Sequence, residues 1–424
     1  MTTASHREEA ARDLRFEGFA AWRARLDREN VAPVIAVAGS RGKTSVLRAL
    51  ESIFRAGGYR FASWTDRGVE IEGERQRGEL GPWSRALTRL SAGGLDVALQ
   101  ELDWATIQAM GARGTTYPIV ALVNLCANNE ACLITLESLQ ARRALRSIRK
   151  QLAPSGRLVI NADDFALSEN PDNETRQYLV GISSDAPVLR RHVDRGGDAA
   201  WLVDTAIMIQ ENGRTRPVGE TGNLAWTRDG HIPFSMQNAL IATAIARSCG
   251  LSDRLIAAGL GAHEARPESM PGSFNVFDSG SATIVVDRPM PSWFLRTSLR
   301  ASVSLGTGRQ VRVIGPMANV LDDDIAEVGR LLGRNGGVII LNGAWESGRL
   351  ERFRQGAAGN HVPPIVIQAP DERTAVQQAM SMLRADDVML VLAENPAATV
   401  RLIQRRLRHD PPINAGPTGT ARAS

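Results

Sequence analysis

Apolar positions along the chain recur with two alternating periods, and that alternation predicts an α/β protein. The run Val34–Ala38 is continuously apolar, follows Pro33 and ends in Gly39, which predicts a buried strand. From Thr44 to Phe54 the apolar residues fall at helical spacing. Further buried strands are expected at Leu95–Leu99, Ile119–Leu125 and Arg157–Asn161, with helices at Pro82–Ala92 and Glu137–Leu152. Strands alternating with helices imply a mostly parallel sheet covered on both faces. Between Val188 and Phe234 short apolar runs are split by Gly, Asp and Asn, which predicts antiparallel strands appended to that sheet. Helical spacing returns at Gln237–Gly250 and Asp253–Gly261.

The segment Ala265–Gly272 holds Pro267 and Pro271, lacks periodicity and is read as a domain boundary. Beyond it, buried strands are expected at Thr283–Asp287, Gln310–Ile314, Val338–Leu341, Ile365–Ile367 and Val388–Leu392, with helices between them. This is the pattern of a second, smaller doubly wound domain. The charged stretch 5–30, with Leu14, Phe16, Phe19, Trp22 and Leu26 interspersed, predicts an amphipathic lead-in helix, and the Pro- and Gly-rich tail predicts disorder. The expected organisation is a helical lead-in over 1–30, a central P-loop α/β domain over 31–268, a Rossmann-like α/β domain over 269–411 and a tail over 412–424.

Composition narrows the partners. Hydrophobic residues make up 43% and charged residues 23%, an ordinary balance with material for a core. A net charge of +4 suits an anionic substrate and falls short of a nucleic-acid footprint. The basic stretches Arg142–Lys150 and Arg401–Arg408 have helical spacing and read as solvated faces. Three cysteines, Cys126, Cys132 and Cys249, form no disulfide or zinc pattern, so reduced thiols and a cytoplasmic location are expected. Neither a signal peptide nor a membrane-length apolar run is seen, so no integral membrane segment is expected.

The chemistry-bearing signal is Val-Ala-Gly-Ser-Arg-Gly-Lys-Thr-Ser, residues 37–45, between the first strand and a helix. A polyphosphate needs converging amide N–H groups. Gly39 and Gly42 let the backbone turn tightly, and the helix turns its positive end to the anion. Lys43 can reach the outer phosphates and Thr44 can place its hydroxyl on Mg²⁺. The standard loop carries a further glycine where this chain has Val37. Other acidic and aromatic positions have blander readings. Asp322–Asp324 is expected to cap a helix, Trp64 and Trp83 to pack in the core, and Asp163-Asp164 either to touch a ribose or to cap a turn.

The shorter loop resembles the Gly-Thr-x-Gly-Lys-Thr loop of the Mur ligase family. Further landmarks follow in family order. Leu-Gln-Glu-Leu-Asp at 99–103 resembles a strand ending in a Mg²⁺-binding glutamate, here Glu101. Leu-Val-Ile-Asn-Ala-Asp-Asp at 158–164, the helix from Gln237 and Met-Pro-Gly-Ser-Phe-Asn-Val-Phe at 270–277 have counterparts as well. Within the family the likeness is greatest to the poly-γ-glutamate synthase ligase subunit and the C-terminal half of cyanophycin synthetase. The resemblance implies ATP and Mg²⁺. Gly39, Ser40, Arg41, Gly42, Lys43, Thr44, Ser45 and Asn238 would hold the nucleotide, and Thr44 and Glu101 the metal. Lys43, Glu101, Asp287 and Arg266 would serve catalysis. The implied activity is ATP-dependent joining of an amino acid such as glutamate to a carboxylate-bearing acceptor or polymer, through an acyl phosphate. It leaves room for a membrane-bound partner subunit and a homo-oligomer.

Several family positions differ. Asn128-Asn129 replaces an Asp-His pair, Ser273 a junction arginine that Arg266 could replace, and Phe234-Ser235 a His-Asn pair. After Asp287 the expected His and Asn are missing. These departures define an alternative, a weakened ATP-binding subunit with a regulatory or assembly role.

Overall fold

The computed structural model describes residues 32–76, 94–110, 117–125, 136–168 and 176–409, which fall into two compact units, one running to Glu264 and the other starting at Ala265. The expected lead-in helix, the helix at Pro82–Ala92, Trp83, Cys126, Cys132, Asn128-Asn129 and the tail lie outside the described residues. Among the described residues no helix is long and apolar enough to cross a membrane.

In the first unit, Val34–Ala38 is strand β1, buried at every position. Around it run β2 (Phe61–Thr65), β3 (Gly68–Ile71), β4 (Glu74–Arg75), β5 (Val97–Leu102), β6 (Tyr117–Leu122) and β7 (Leu152–Asn161). The sheet continues with β8 (Arg176–Ser183), β9 (Asp198–Val203), β10 (Ala206–Glu211) and β11 (Arg214–Glu220). The order is β11-β10-β9-β8-β7-β6-β1-β5-β2-β3-β4. From β2 through β9 neighbouring strands are parallel, and both margins are antiparallel. Parallel strands covered on both faces read as continuous aliphatic runs, which is why β1 was legible.

The helix Lys43–Ala56 packs on this sheet beside the helices Pro233–Ser248 and Asp253–Gly261. Its contact with the last is close: a β-carbon on Gly259 would lie 2.3 Å from the Ile53 Cα, so only glycine fits. The opposite edge is tied by charge. Buried Arg48 donates to Glu51 at 2.8 Å and to Glu70 of β3 at 2.5 Å, and Ser63 of β2 donates to Glu51 at 2.6 Å. Burial opposes the Arg48 charge, but these carboxylates outweigh it and hold its pKa above the ordinary value.

Three features differ from the sequence reading. The stretch after Val188 opens with a helix, Pro187–Asp194, before the antiparallel β9–β11. Pro187 starts that helix and Leu189 alone is buried, too little apolar signal to show a period. The marginal hairpin β2–β4 and strand β8 were not anticipated, and the hairpin is mixed in polarity.

The second unit holds β12 (Asn275–Ser279), β13 (Ala282–Asp287), β14 (Gln310–Ile314), β15 (Val338–Asn342), β16 (Ile365–Ala369) and β17 (Val388–Leu392), ordered β12-β13-β17-β14-β15-β16. All pairs are parallel except β12 with β13. The five expected strands are present, and β12 adds one just after the stretch Ala265–Gly272 that was read as a boundary. Asp322–Asp324 does not cap the following helix, Ile325–Gly333. Asp322 instead pairs with Arg349, and Asp324 accepts the Ser292 amide at 2.7 Å, capping the neighbouring helix Ser292–Val303.

His263 gives the first unit an acid-sensitive point. Its buried ring meets Trp226 edge-on at 4.9 Å, and Nδ1 lies 3.3 Å from Ser52 Oγ. Burial, and then the nearby Arg48 charge, push its pKa from 6.5 down to about 4. The folded state therefore excludes a proton that the unfolded state accepts. This contribution is complete above pH 6.5 and is lost as the pH falls toward 4, by roughly 3 kcal/mol. Urea unfolding at neutral pH and at pH 4.5 should show a smaller acid loss in His263→Gln than in the natural protein. Equal losses would refute the assignment.

Candidate functional site

The site grows from the register of β1. Its neighbour β5 pairs Val37 with Glu101 and Ala38 with Leu102, and β6 pairs Ala38 with Leu122. The ends of three parallel strands thus meet where the chain leaves β1 for the loop 39–42. Gly39 and Gly42 both have positive φ, 157° and 85°, and Gly42 caps the helix Lys43–Ala56. A β-carbon on Gly42 would stand 2.9 Å from Oδ1 of Asn238, so Asn238, on the helix Pro233–Ser248, lies against the loop.

The loop's amides divide into two sets. Gly39 N–H donates to the Leu102 carbonyl at 3.4 Å, Ser40 N–H to the Asn124 carbonyl at 3.1 Å, and Arg41 N–H to Asn124 Oδ1 at 3.0 Å. The next four N–H groups, Gly42 through Ser45, have no acceptor among the described residues, and the first turn's bonds begin with Val46 N–H to the Gly42 carbonyl. The expectation that Gly39–Gly42 present their amides to a ligand therefore shifts. The open donors run from Gly42 to Ser45, at the positive end of a helix, an arrangement that binds anions.

Charge is concentrated beside these donors. Lys43 Nζ lies 3.4 Å from the Ser40 carbonyl and 3.5 Å from Glu101 Oε1, and Thr44 Oγ1 donates to Glu101 Oε2 at 2.8 Å. Burial raises the Glu101 pKa, with Lys43 and Thr44 opposing that and Asp66 adding to it. Glu101 and Thr44 form a small oxygen donor set that fits a hard divalent cation, since Mg²⁺ takes one or two carboxylates and completes its shell with phosphate oxygens and water. Among the described residues no group of three His, Cys, Asp or Glu side chains converges on a metal position.

Ser40 has a different place from the one expected. Its hydroxyl donates to the Leu125 carbonyl at 3.1 Å and accepts the Trp104 indole N–H at 2.9 Å, so it braces the loop. Asp163 and Asp164 organise a turn. Asp164 accepts the amides of Leu125 at 2.6 Å and Ala166 at 3.2 Å, and Asp163 accepts from Ile182 N–H and Gln237 Nε2, each at 2.8 Å.

The structure brings Lys43, Thr44, Ser45, Glu101 and Asn238 together at the loop. Asp287 and Arg266 belong to the second unit. Asp287, 1% exposed, accepts the Arg288 amide and the Ser298 hydroxyl, both at 2.8 Å, whereas Arg266 is exposed and its carbonyl accepts the Ser269 amide at 3.0 Å. Sequence reasoning missed Asn124 and Trp104. Their roles depend on which strand ends are neighbours, and spacing along the chain does not show that.

The second unit has a crevice of about 810 Å³ at the carboxyl ends of β14 to β17, the place where doubly wound sheets bind ligands. Its carboxylates are engaged: Glu372 accepts the Glu394 amide at 2.7 Å, and Glu394 accepts the Met317 amide at 2.8 Å. Its arginines, Arg373, Arg405 and Arg406, are exposed, and the buried Asn342 Nδ2 has no acceptor among the described residues. The remaining recognition capacity is cationic and donating.

No family model matches the chain. Over 391 residues it is 24% identical to cyanophycin synthetase of Synechocystis sp., covering 88% of this chain and 44% of that protein. It is 27% identical over 231 residues to UDP-N-acetylmuramoylalanine–D-glutamate ligase of Thermobifida fusca, covering 53% of this chain and 43% of the relative. The chain thus spans less than half the length of these curated relatives. E. coli FolC in complex with ADP superposes with a TM-score of 0.62 at 16% identity, covering 93% of this chain and 94% of FolC. The proteins that it resembles in sequence, cyanophycin synthetase and Mur ligases, and those whose fold it shares, FolC and MurF among them, are all proteins of the Mur ligase family.

Proposed function

We propose that this chain is an ATP-dependent ligase that joins a carboxylate to the amine of an amino acid. The observation that carries the reading is the cluster of Lys43, Thr44 and Glu101 beside four open amides, Gly42 to Ser45. Such a cluster holds a triphosphate and concentrates positive potential where charge develops in phosphoryl transfer. In the proposed reaction a carboxylate oxygen attacks the γ-phosphorus and the bond to ADP breaks, giving an acyl phosphate. The amine nitrogen then attacks the acyl carbon, the C–O bond to phosphate breaks, and phosphate leaves as the amine loses a proton.

In this scheme Lys43 leaves Glu101 for the γ-phosphate, the amides of Gly42 to Ser45 bind the inner phosphates, and Asn238 borders the nucleotide. Thr44 and Glu101 would hold Mg²⁺, which when bound neutralises phosphate charge. In the second unit, Arg373 and Asn342 would recognise the carboxylates of an acidic amino acid such as glutamate. Asp287 would act by shaping the turn after β13, and Arg266 would lie on the acceptor side. Use of ATP and reduced thiols suits a cytoplasmic location. Ser273 and Phe234-Ser235, where family members carry charged or polar groups, favour a second reading, an ATP-binding subunit with weakened ligation.

ADP release from ATP and Mg²⁺, measured with an amino-acid panel and carboxylate acceptors, separates the two. A ligase releases ADP only when one amino acid is present, whereas the weakened subunit binds ATP without that dependence. Lys43→Ala should lower the amino-acid-dependent rate about a hundredfold or more, roughly 3 kcal/mol of transition-state stabilisation. Unchanged turnover would remove Lys43 from the mechanism. Arg373→Met should raise the KM for the amino acid about tenfold and leave the KM for ATP in place, since a charge-assisted hydrogen bond contributes roughly 1.5–3 kcal/mol. An unaltered amino-acid KM would take the crevice out of the account.

The raised Glu101 pKa sets a pH dependence. Metal binding needs the carboxylate, so a proton competes with Mg²⁺ at pH values above the usual carboxylate range. The apparent Mg²⁺ affinity should fall as the pH drops through that raised pKa. Glu101→Gln should bind Mg²⁺·ATP weakly at every pH and show no such limb. A Glu101→Gln variant that keeps the limb would show that another group titrates.

A further inference from the structure

We infer that Asn124 is the positioning residue of the phosphate loop, a side chain that decides which of the loop's amides face a nucleotide without touching one itself. The inference rests on the nucleotide-binding reading above. A tight loop has more N–H groups than a triphosphate can accept from, and the remainder need acceptors inside the protein. Asn124 supplies them for two consecutive residues. It lies just past the end of β6, 83 residues from Arg41 in the chain. Its Oδ1 accepts the Arg41 N–H at 3.0 Å, its Nδ2 donates to the Arg41 carbonyl at 2.8 Å, and its own carbonyl takes the Ser40 N–H at 3.1 Å. One residue is gripped at both its N–H and its C=O. A carboxamide can do this; aspartate lacks the donor and alanine lacks both groups.

The clasp is held on its other side as well. Val123 N–H donates to the Ala38 carbonyl at 2.8 Å, the Val123 carbonyl accepts Asn161 Nδ2 at 2.7 Å, and Leu125 N–H donates to Asp164 at 2.6 Å. Residues 123–125 are therefore fixed before they fix the loop. The loop approaches closely enough to be gripped because a β-carbon at Gly39 would lie 3.1 Å from the Asn124 carbonyl, a space that glycine leaves open. With the Arg41 backbone anchored, Gly42 takes its left-handed turn and the four amides from Gly42 to Ser45 are left for an anion. Removing the clasp lets the loop sample other orientations, and that loss falls on phosphate recognition.

The test is calorimetric titration of the natural protein and of Asn124→Ala and Asn124→Asp with ATP, ADP and AMP in the presence of Mg²⁺. Amide hydrogen exchange over Ser40–Gly42 without nucleotide accompanies it. Two lost hydrogen bonds should weaken ATP about tenfold while AMP changes by less than about twofold, so the ratio of ATP to AMP affinity falls. Exchange at Arg41 should speed by about the same factor in Asn124→Ala and by less in Asn124→Asp, whose carboxylate still accepts the Arg41 N–H. A proportional loss for all three nucleotides with a lowered melting temperature would mean a general structural role and overturn the inference. So would unchanged ATP affinity with unchanged exchange. If the natural protein binds no ATP, the proposed function fails, and the exchange measurement still decides whether Asn124 holds the loop.

Discussion

The structure depends most on the parallel register of β1 between β5 and β6. Because side chains alternate across a strand, a slip of one residue would turn Glu101 to the opposite face and separate it from Lys43 and Thr44. The register pairs Val37 with Glu101, and the chain turns into the loop immediately afterwards. The buried aliphatic side chains of β1 and β5 enforce that pairing. Hydrophobic burial on both faces of the sheet thus fixes the geometry of a polar site at its end. The site itself contributes little to stability, since it contains a carboxylate whose charge is disfavoured by burial.

Electrostatics at the loop suits the polyphosphate proposed for it. Lys43 shares its charge with Glu101 at 3.5 Å, and four amides at a helix start have no acceptor among the described residues. A polyphosphate would satisfy the amides and give Lys43 an anionic partner, and would release Glu101 toward a cation. Binding would then be driven by groups the fold leaves incompletely satisfied. The second unit shows the same logic in its crevice, where backbone amides engage the carboxylates and the arginines stay exposed.

Much of this was legible in the sequence, for physical reasons that also mark the limits. Central parallel strands are buried on both faces, so β1 and β17 appeared as unbroken apolar runs at their observed bounds. The marginal strands are short and mix apolar with polar residues, so β2–β4 and β12 left no comparable pattern. The loop was readable because glycines with positive φ must stand at set places before Lys43. The division of its amides was not, because Asn124 reaches it through a neighbouring strand. Acidic residues were the least readable. Asp164, Asp287 and Asp324 all turned out to accept backbone amides, and a sequence gives an aspartate at a turn the same appearance as one at a reaction centre.

The most direct test of the account follows the oxygen atoms. A carboxylate acceptor labelled with ¹⁸O is incubated with ATP, Mg²⁺ and the amino acid that supports turnover, and the released phosphate is analysed by mass spectrometry. An acyl phosphate requires one acceptor oxygen to leave with phosphate, so the account predicts one ¹⁸O in inorganic phosphate for each amide formed, with ADP as the nucleotide product. Amide formation with the label in AMP, or with unlabelled phosphate, would contradict it.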